Sequence, residues 1–405
     1  MNQKQDLILF SITRWDQPNP GSSASLTKEL SKHYRVFFVE RPYSLRDLII
    51  EWGSFALKKR LKAIIFGIDP YLEINTGVSK FVVISPNLVL PLHFLPKGFI
   101  YHFFNAVNNY IVSRSIKKAI KHFQIKDFIY LNNFNPVVLP IFKSKKFKPA
   151  LNIYYITNDI RLSRYFAKHG ERAQEKAIQE TDLVLVSSRH QFKKLFYKQV
   201  NMYYFPNAVD YLFFESVRTR PLVQPYDLAT IGNIKVIMFC GFISQIRIDY
   251  LLVKAICDNF HQYLIVLVGT YEEQDLINHK LEQIPNLLIL GNRRYESIPS
   301  YLQTATVTII PYLCNELNES VYPLKLNEYL AMGKPVVTTN FSTDLEAFSD
   351  VIYIANTYED FLNYIEKAIT EDSEARVENR LNYARLNTWV NRVLQLKDII
   401  SKQIR

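Results

Sequence analysis

Short apolar runs of strand length alternate with amphipathic stretches of helical period along almost the whole chain. A strand buried on both faces needs covering helices, and a parallel neighbour needs a crossover, so this rhythm points to an α/β fold with parallel sheets. In the first half strands are expected near 7–13, 36–39, 128–131, 153–156, 183–186 and 203–205, with helices near 23–32, 103–123, 171–180 and 189–198. The rhythm then restarts, with strands near 236–240, 264–268, 287–290, 307–310 and 336–338, each followed by a helix. Between the two sets, 207–233 holds Pro221 and Pro225 and no sustained period, as a boundary would. The reading is a first domain at 1–206, a linker at 207–233, a second domain at 234–375, and a final segment at 376–405 that packs back toward the first.

With 405 residues the chain is long enough for two cores, and 48% hydrophobic against 21% charged residues is the balance of an ordinary folded protein. The start shows no small-residue cleavage site behind an apolar core, and no stretch reaches the roughly 18 uncharged apolar residues a spanning helix needs. Cys240, Cys257 and Cys314 are scattered and odd in number, which suits neither a zinc site nor a disulfide framework and fits a reducing cytoplasm. Charge is unevenly placed. Met1 to Pro206 carries 31 Lys and Arg against 14 Asp and Glu, and the remainder carries 18 against 24. A basic half implies an anionic partner for that half, a membrane surface or nucleic acid. Zinc-finger spacing and aromatic RNA-binding signatures are absent and the lysines are dispersed, so no nucleic acid is expected.

The most informative stretch reads NELNESVYPLKLNEYLAMGKPVVTT, from Asn315 to Thr339. Pro323 suits the first helical position, where a missing amide hydrogen is harmless. A helix starting there offers free amides at the positive end of its dipole, a phosphate site to which Lys325 adds a full charge. Glu328 lies on the same face one turn deeper, placed to accept hydrogen bonds from both hydroxyls of a ribose. Gly333 ends the helix in a left-handed cap, and Lys334-Pro335 opens a buried strand.

PLKLNEYLAMGKPVVTT resembles the donor-binding helix of family-4-like bacterial glycosyltransferases (glycosyl transferases group 1), in particular a surface-polysaccharide subgroup of teichuronic-acid type. The resemblance implies the GT-B architecture, two doubly wound Rossmann-like domains facing a central cleft with a C-terminal helix crossing back. It implies that Pro323, Leu324 and Lys325 meet the donor diphosphate and that Glu328 holds the ribose. Gly241-Phe242-Ile243 with Arg247 resembles the family's glycine-bearing loop, whose basic residue reaches the diphosphate. Val268-Gly269, Leu290-Gly291 with Arg293, and Trp389 with Arg392 fall in the family's order too. The family commonly has an acidic residue eight positions before the ribose-binding Glu; here that place is Ser320, with Glu316 and Glu319 nearby but out of register. The donor-sugar contact is therefore read among Ser320 and Glu316.

In the first domain, Asp159 after Ile156-Thr157-Asn158 is either a general base for the acceptor hydroxyl or a cap of the following turn. Arg161, Arg164 and His169 follow it, as phosphate ligands or as a solvated face. In this architecture the loop Pro20-Gly21-Ser22 faces the donor phosphates. Trp52 to Lys62, including Lys58, Lys59 and Arg60, passes from apolar to basic, and Lys117 and Lys118 lie on a helix preceded by aromatics. Both are expected to form a membrane or acceptor surface.

The expected activity is hexosyl transfer from a nucleoside diphosphate sugar to a lipid-linked or growing glycan in cell-surface polysaccharide synthesis. It would occur at the cytoplasmic face of the membrane, with no metal or cofactor required. The alternatives are a nucleotide-sugar epimerase or hydrolase of the same architecture, or a non-catalytic basic protein that binds membrane or nucleic acid.

Overall fold

A computed structural model describes residues 4–17, 21–140, 147–162, 166, 168–199, 201–221 and 223–404. The chain divides into two units, Met1–Pro206 with Arg392–Arg405, and Asn207–Asn391.

The first unit contains β1 (Asp6–Ser11), β2 (Arg35–Val39), β3 (Tyr71–Asn75), β4 (Lys80–Ile84), β5 (Ile129–Asn133), β6 (Leu151–Ile156), β7 (Leu183–Val186) and β8 (Met202–Tyr204). They form one sheet in the order β3-β4-β2-β1-β5-β6-β7-β8, parallel except for the β3–β4 hairpin. Central β1 pairs with β2 through Ile8↔Phe37 and with β5 through Ile8↔Tyr130. Leu7 to Phe10 are wholly buried, as strands covered by helices on both faces must be.

The second unit contains β9 (Val236–Cys240), β10 (Leu264–Val268), β11 (Leu287–Ile289), β12 (Val307–Ile310), β13 (Val336–Thr339) and β14 (Tyr353–Ala355), in the all-parallel order β11-β10-β9-β12-β13-β14. The winding reverses between β9 and β12. A reversal of this kind opens a crevice at the carboxyl ends of the two strands, where doubly wound folds bind ligands.

Three departures from the sequence reading have physical causes. The β3–β4 hairpin is not among the expected strands, because β3 lies at the sheet edge with only partial burial and no clean alternation. Its turn is made by Gly77 at φ 81°, whose amide donates to Asn75 Oδ1. Residues 207–233 fold with the second unit: Tyr211–Arg218 is a helix, and Phe214 and Leu228 are fully buried in that unit's core. The long terminal helical segment is two helices, Glu374–Leu386 and Trp389–Gln403, broken where Val209 and Thr388 bridge and the Trp389 amide donates to Val209 O. From Arg392 the second of these belongs to the first unit, where Arg392 Nε donates to Pro206 O and Leu396, Ile399 and Ile400 are buried. Among the described residues no helix is long and apolar enough to cross a membrane.

Candidate functional site

At the carboxyl end of β9, next to β12, the loop after β9 meets the helix Leu324–Ala331, whose Tyr329 hydroxyl bonds the Cys240 backbone. Three glycines follow β9, β10 and β11. Gly241 N donates to Val268 O and Gly269 N to Gly291 O, each at 2.8 Å. Gly269 has φ 152°, and a Cβ there would lie 1.7 Å from Gly241 O, so only glycine lets these strand ends approach. A Cβ on Gly241 would strike the Phe239 ring at 2.5 Å.

The loop then turns so that Arg247 N and Ile248 N both donate to Ser244 O. The carbonyl of Arg247 accepts from Leu313 N at 2.8 Å and from Asn318 Nδ2 at 3.0 Å, which ties it to the segment after β12. Its backbone is therefore fixed while its half-buried guanidinium has no carboxylate within ion-pair distance among the described residues. Asn318, wholly buried, also donates to Leu313 O, and nothing in the sequence singled it out.

Pro323 sits one position earlier than expected. It is the N-cap, with φ −76° and ψ 72°, and the Leu324 amide donates back across it to Tyr322 O at 2.8 Å. This inverse γ-turn consumes one of the amides the sequence reading left free. The Lys325 amide has no acceptor among the described residues and is one that the helix start offers. The helix closes as expected: Gly333 is left-handed at φ 69°, and Lys334 N donates to Tyr329 O while Gly333 N donates to Leu330 O.

Lys325 Nζ lies 3.0 Å from Glu328 Oε2, with the carboxylate 3% exposed and the ammonium side chain 28% exposed. Burial lowers the lysine pKa, but the Glu328 charge and hydrogen bond raise it more, so the ammonium is held above its ordinary value. The cation and carboxylate expected to share a ligand are thus side by side, each satisfying the other. Tyr295 lies close enough to feel the Glu328 charge; burial first and that charge second push its phenol well above the usual range, so it stays a donor. It stacks on Phe213 at 5.5 Å, which brings the 207–233 stretch to this site.

The remaining expected donor residues are placed differently. Arg293 donates to Asp227 Oδ2 at 2.6 Å and to Tyr301 OH at 2.9 Å, which fastens the 225–228 segment to the domain and takes up its guanidinium. Ser320 is wholly buried and its hydroxyl donates to Glu316 O, closing the short helix Glu316–Glu319 instead of facing solvent. The Glu316 side chain is exposed.

In the first unit, Gly21 and Ser22 open the helix Gly21–His33, whose start is tied to β5 by Asn133 Nδ2 donating to Ser23 Oγ at 2.8 Å. Pro20 and Arg164 lie outside the described residues. Asp159 is 4% exposed; its Oδ1 caps the Arg161 amide at 2.9 Å and both oxygens receive the Arg161 guanidinium. The geometry favours the capping alternative over the general base. His169 Nε2 bonds Leu95 O at 3.0 Å, and its ring stacks on Tyr101 at 3.6 Å.

Arg60 lies inside the fold and not on the basic surface. Expected on a basic surface, it is 4% exposed and donates to Glu40 at 2.7 and 2.8 Å and to Asp16 at 2.8 Å. One face of the helix Phe55–Phe66 is buried, and the arginine falls on it with Leu57, Ala63 and Ile64. Lys58 and Lys59 are on the exposed face, beside Trp52 at 75% and Phe55 at 82% exposure. Lys118 is exposed, whereas Lys117 is half-buried over the Phe147 ring. Among the described residues no group of three or more His, Cys, Asp or Glu could hold a metal ion.

Comparison with known proteins bears on these features. Residues 234–371 match the family model described as Glycosyl transferases group 1. TuaH of Bacillus subtilis (strain 168), a protein named as a glycosyltransferase of teichuronic acid biosynthesis, is 27% identical over 239 residues, a match covering 56% of this chain and 59% of that protein. Among solved structures, an E. coli trehalose-6-phosphate protein with bound UDP-2-fluoro glucose superposes with a TM-score of 0.67 at 11% identity, covering 98% of this chain and 99% of that one. Anabaena Alr3699/HepE in complex with UDP and glucose gives 0.62 at 14% identity, over 97% and 99%. At these identities the structures show a shared fold. The chain therefore has the GT-B fold, and residues 234–371 of its second unit match the glycosyl transferases group 1 model.

Proposed function

We propose that the protein transfers a hexosyl group from a nucleoside diphosphate sugar to a glycan acceptor in cell-surface polysaccharide synthesis. The observation that carries this is the Lys325–Glu328 pair at the start of Leu324–Ala331, at the reversal between β9 and β12, with Arg247 in the loop after β9 free of any carboxylate among the described residues. On donor binding the ammonium turns from Glu328 to the diphosphate, joined by the Lys325 amide and Arg247, and Glu328 is released to accept the ribose hydroxyls. As the glycosidic bond breaks, negative charge grows on the leaving diphosphate, and fixed cations stabilise that charge more than the ground state. These protein cations serve in place of a metal ion, and chelation leaves the rate unchanged. UDP is the nucleotide to test first, since two solved proteins of this fold hold UDP or a UDP sugar.

The first unit takes the acceptor. Its exposed apolar residues Ile49, Trp52 and Phe55, next to Lys58 and Lys59, support peripheral attachment to the inner face of an anionic membrane, where a lipid-linked acceptor would be met.

The test is to follow nucleoside diphosphate release from UDP-glucose, GDP-mannose and dTDP-glucose with and without a lipid-linked oligosaccharide acceptor. Release that requires the acceptor supports transfer. Release at the same rate without it identifies a hydrolase and contradicts the proposal.

A further inference from the structure

The first unit contains a cavity of about 750 Å³, bounded by the start of Phe99–His122, the segment after β6, the helix Gly170–Gln179 and the helix Arg189–Leu195. Seven Lys and Arg line it against three Asp and Glu. Two of those acids are already engaged, Asp159 by Arg161 and Glu175 by Lys198 at 2.6 Å. Lys97, Lys168, Arg172 and Lys194 are exposed around it. An excess of cations around a concave site attracts an anion more strongly than the same charges on a flat face.

The cavity also has polar groups of a second kind. Gln174 is only 8% exposed, and its Oε1 is buried with no hydrogen-bond partner among the described residues. Asn105 Oδ1, on the wall formed by Phe99–His122, is buried and unpartnered as well. A buried carboxamide oxygen left unpaired is destabilising, and a ligand hydroxyl donating to it relieves that cost. Phosphate needs cations and a sugar ring offers hydroxyl donors; the cavity presents partners for both.

We infer that this cavity binds a phosphate-bearing sugar, with Arg172 and Lys194 on the phosphate and Gln174 and Asn105 accepting from sugar hydroxyls. The inference rests on the proposed transferase reading in one respect, that the bound group is the acceptor; binding itself does not depend on it. A free sugar phosphate and a lipid-linked sugar diphosphate share this chemistry.

The full-length protein is titrated with glucose 1-phosphate, with N-acetylglucosamine 1-phosphate and with free glucose. In parallel it is sedimented with phosphatidylcholine vesicles carrying a polyprenyl diphosphate sugar. Saturable binding of a sugar phosphate, or of the charged vesicles over plain ones, with free glucose at least tenfold weaker, is the expected result. Arg172→Glu with Lys194→Glu, both at exposed positions, should weaken it about tenfold or more. Gln174→Leu should weaken it while Gln174→Asn keeps part of it. Soluble binding identifies a free acceptor, and vesicle binding alone a lipid-linked one. Failure of both arms, equal affinity for free glucose, or indifference to the double charge reversal overturns the inference. UDP binding is read in the same samples; its loss bears on the donor reading alone, so the two failures are distinguishable.

Discussion

The hydroxyl of Tyr329 accepts from the amide of Cys240 at 2.8 Å and donates to the carbonyl of the same residue at 3.3 Å. One phenol on the helix that carries Lys325 and Glu328 thus closes both backbone groups of the last β9 residue, next to Gly241. Helix and glycine loop are thereby held in one register. Tyr329→Phe keeps the packing but leaves a buried amide unpaired, and should cost about 1–3 kcal/mol in urea unfolding. Nucleotide affinity should fall as well; a variant destabilised by that amount with unaltered affinity would show that the tie serves the core alone.

Arg60 and its neighbours separate a buried ion network from a surface charge. Removing Arg60 strands Glu40, which is 1% exposed. Arg60→Leu should therefore cost about 3–5 kcal/mol, whereas Lys58→Ala and Lys59→Ala should each stay within about 0.5 kcal/mol. Thermal denaturation of the three variants checks this, and comparable losses in all three would contradict the assignment.

Lys334 donates to Gln303 O and Ala305 O from a largely buried position, and desolvation brings its pKa down to about 8. A lysine with a depressed folded-state pKa binds its proton more weakly folded than unfolded. Its burial therefore costs stability below pH 8, and the cost is relieved as pH rises from about 8 toward the unfolded value of 10.5. Between pH 7.5 and 9.5 the wild type should gain on the order of 2 kcal/mol relative to Lys334→Met. Parallel pH profiles for the two proteins would refute it.

The exposed Trp52 and Phe55 beside Lys58 and Lys59 should carry membrane attachment. Trp52→Ser with Phe55→Ser should abolish cosedimentation with phosphatidylglycerol vesicles, and Lys58→Glu with Lys59→Glu should weaken it in a salt-sensitive way. Retention that neither pair alters would remove this surface from the account.

Buried parallel strands were the most legible part of the fold, because β7, β9 and β10 are continuous apolar runs with sharp ends. Edge strand β3 was not, since its partial burial and the exposed Glu73, paired across the hairpin with Lys80 of β4, carry no burial signal. At the site, the helix with Lys325 and Glu328 could be read from Pro323, Gly333 and their spacing. The tasks of Arg293, Ser320 and Arg60 could not, because each is decided by a partner distant in sequence or by which helix face turns inward. Asp227 lies 66 positions from Arg293, and Glu40 lies 20 from Arg60. Tyr329 was hidden for the same reason, its partner lying 89 positions away.

In the proposed transfer, Lys325 and Glu328 exchange each other for the diphosphate and the ribose of one donor. Calorimetric titration of the wild type, Lys325→Ala and Glu328→Ala with UDP, GDP and dTDP tests it most directly. Micromolar binding of one nucleotide is expected, weakened at least tenfold in each variant, with the Glu328→Ala loss reduced when the 2′-deoxyribose nucleotide is the ligand. Equal affinity in all three proteins, or no binding of any nucleotide by the wild type, would contradict it.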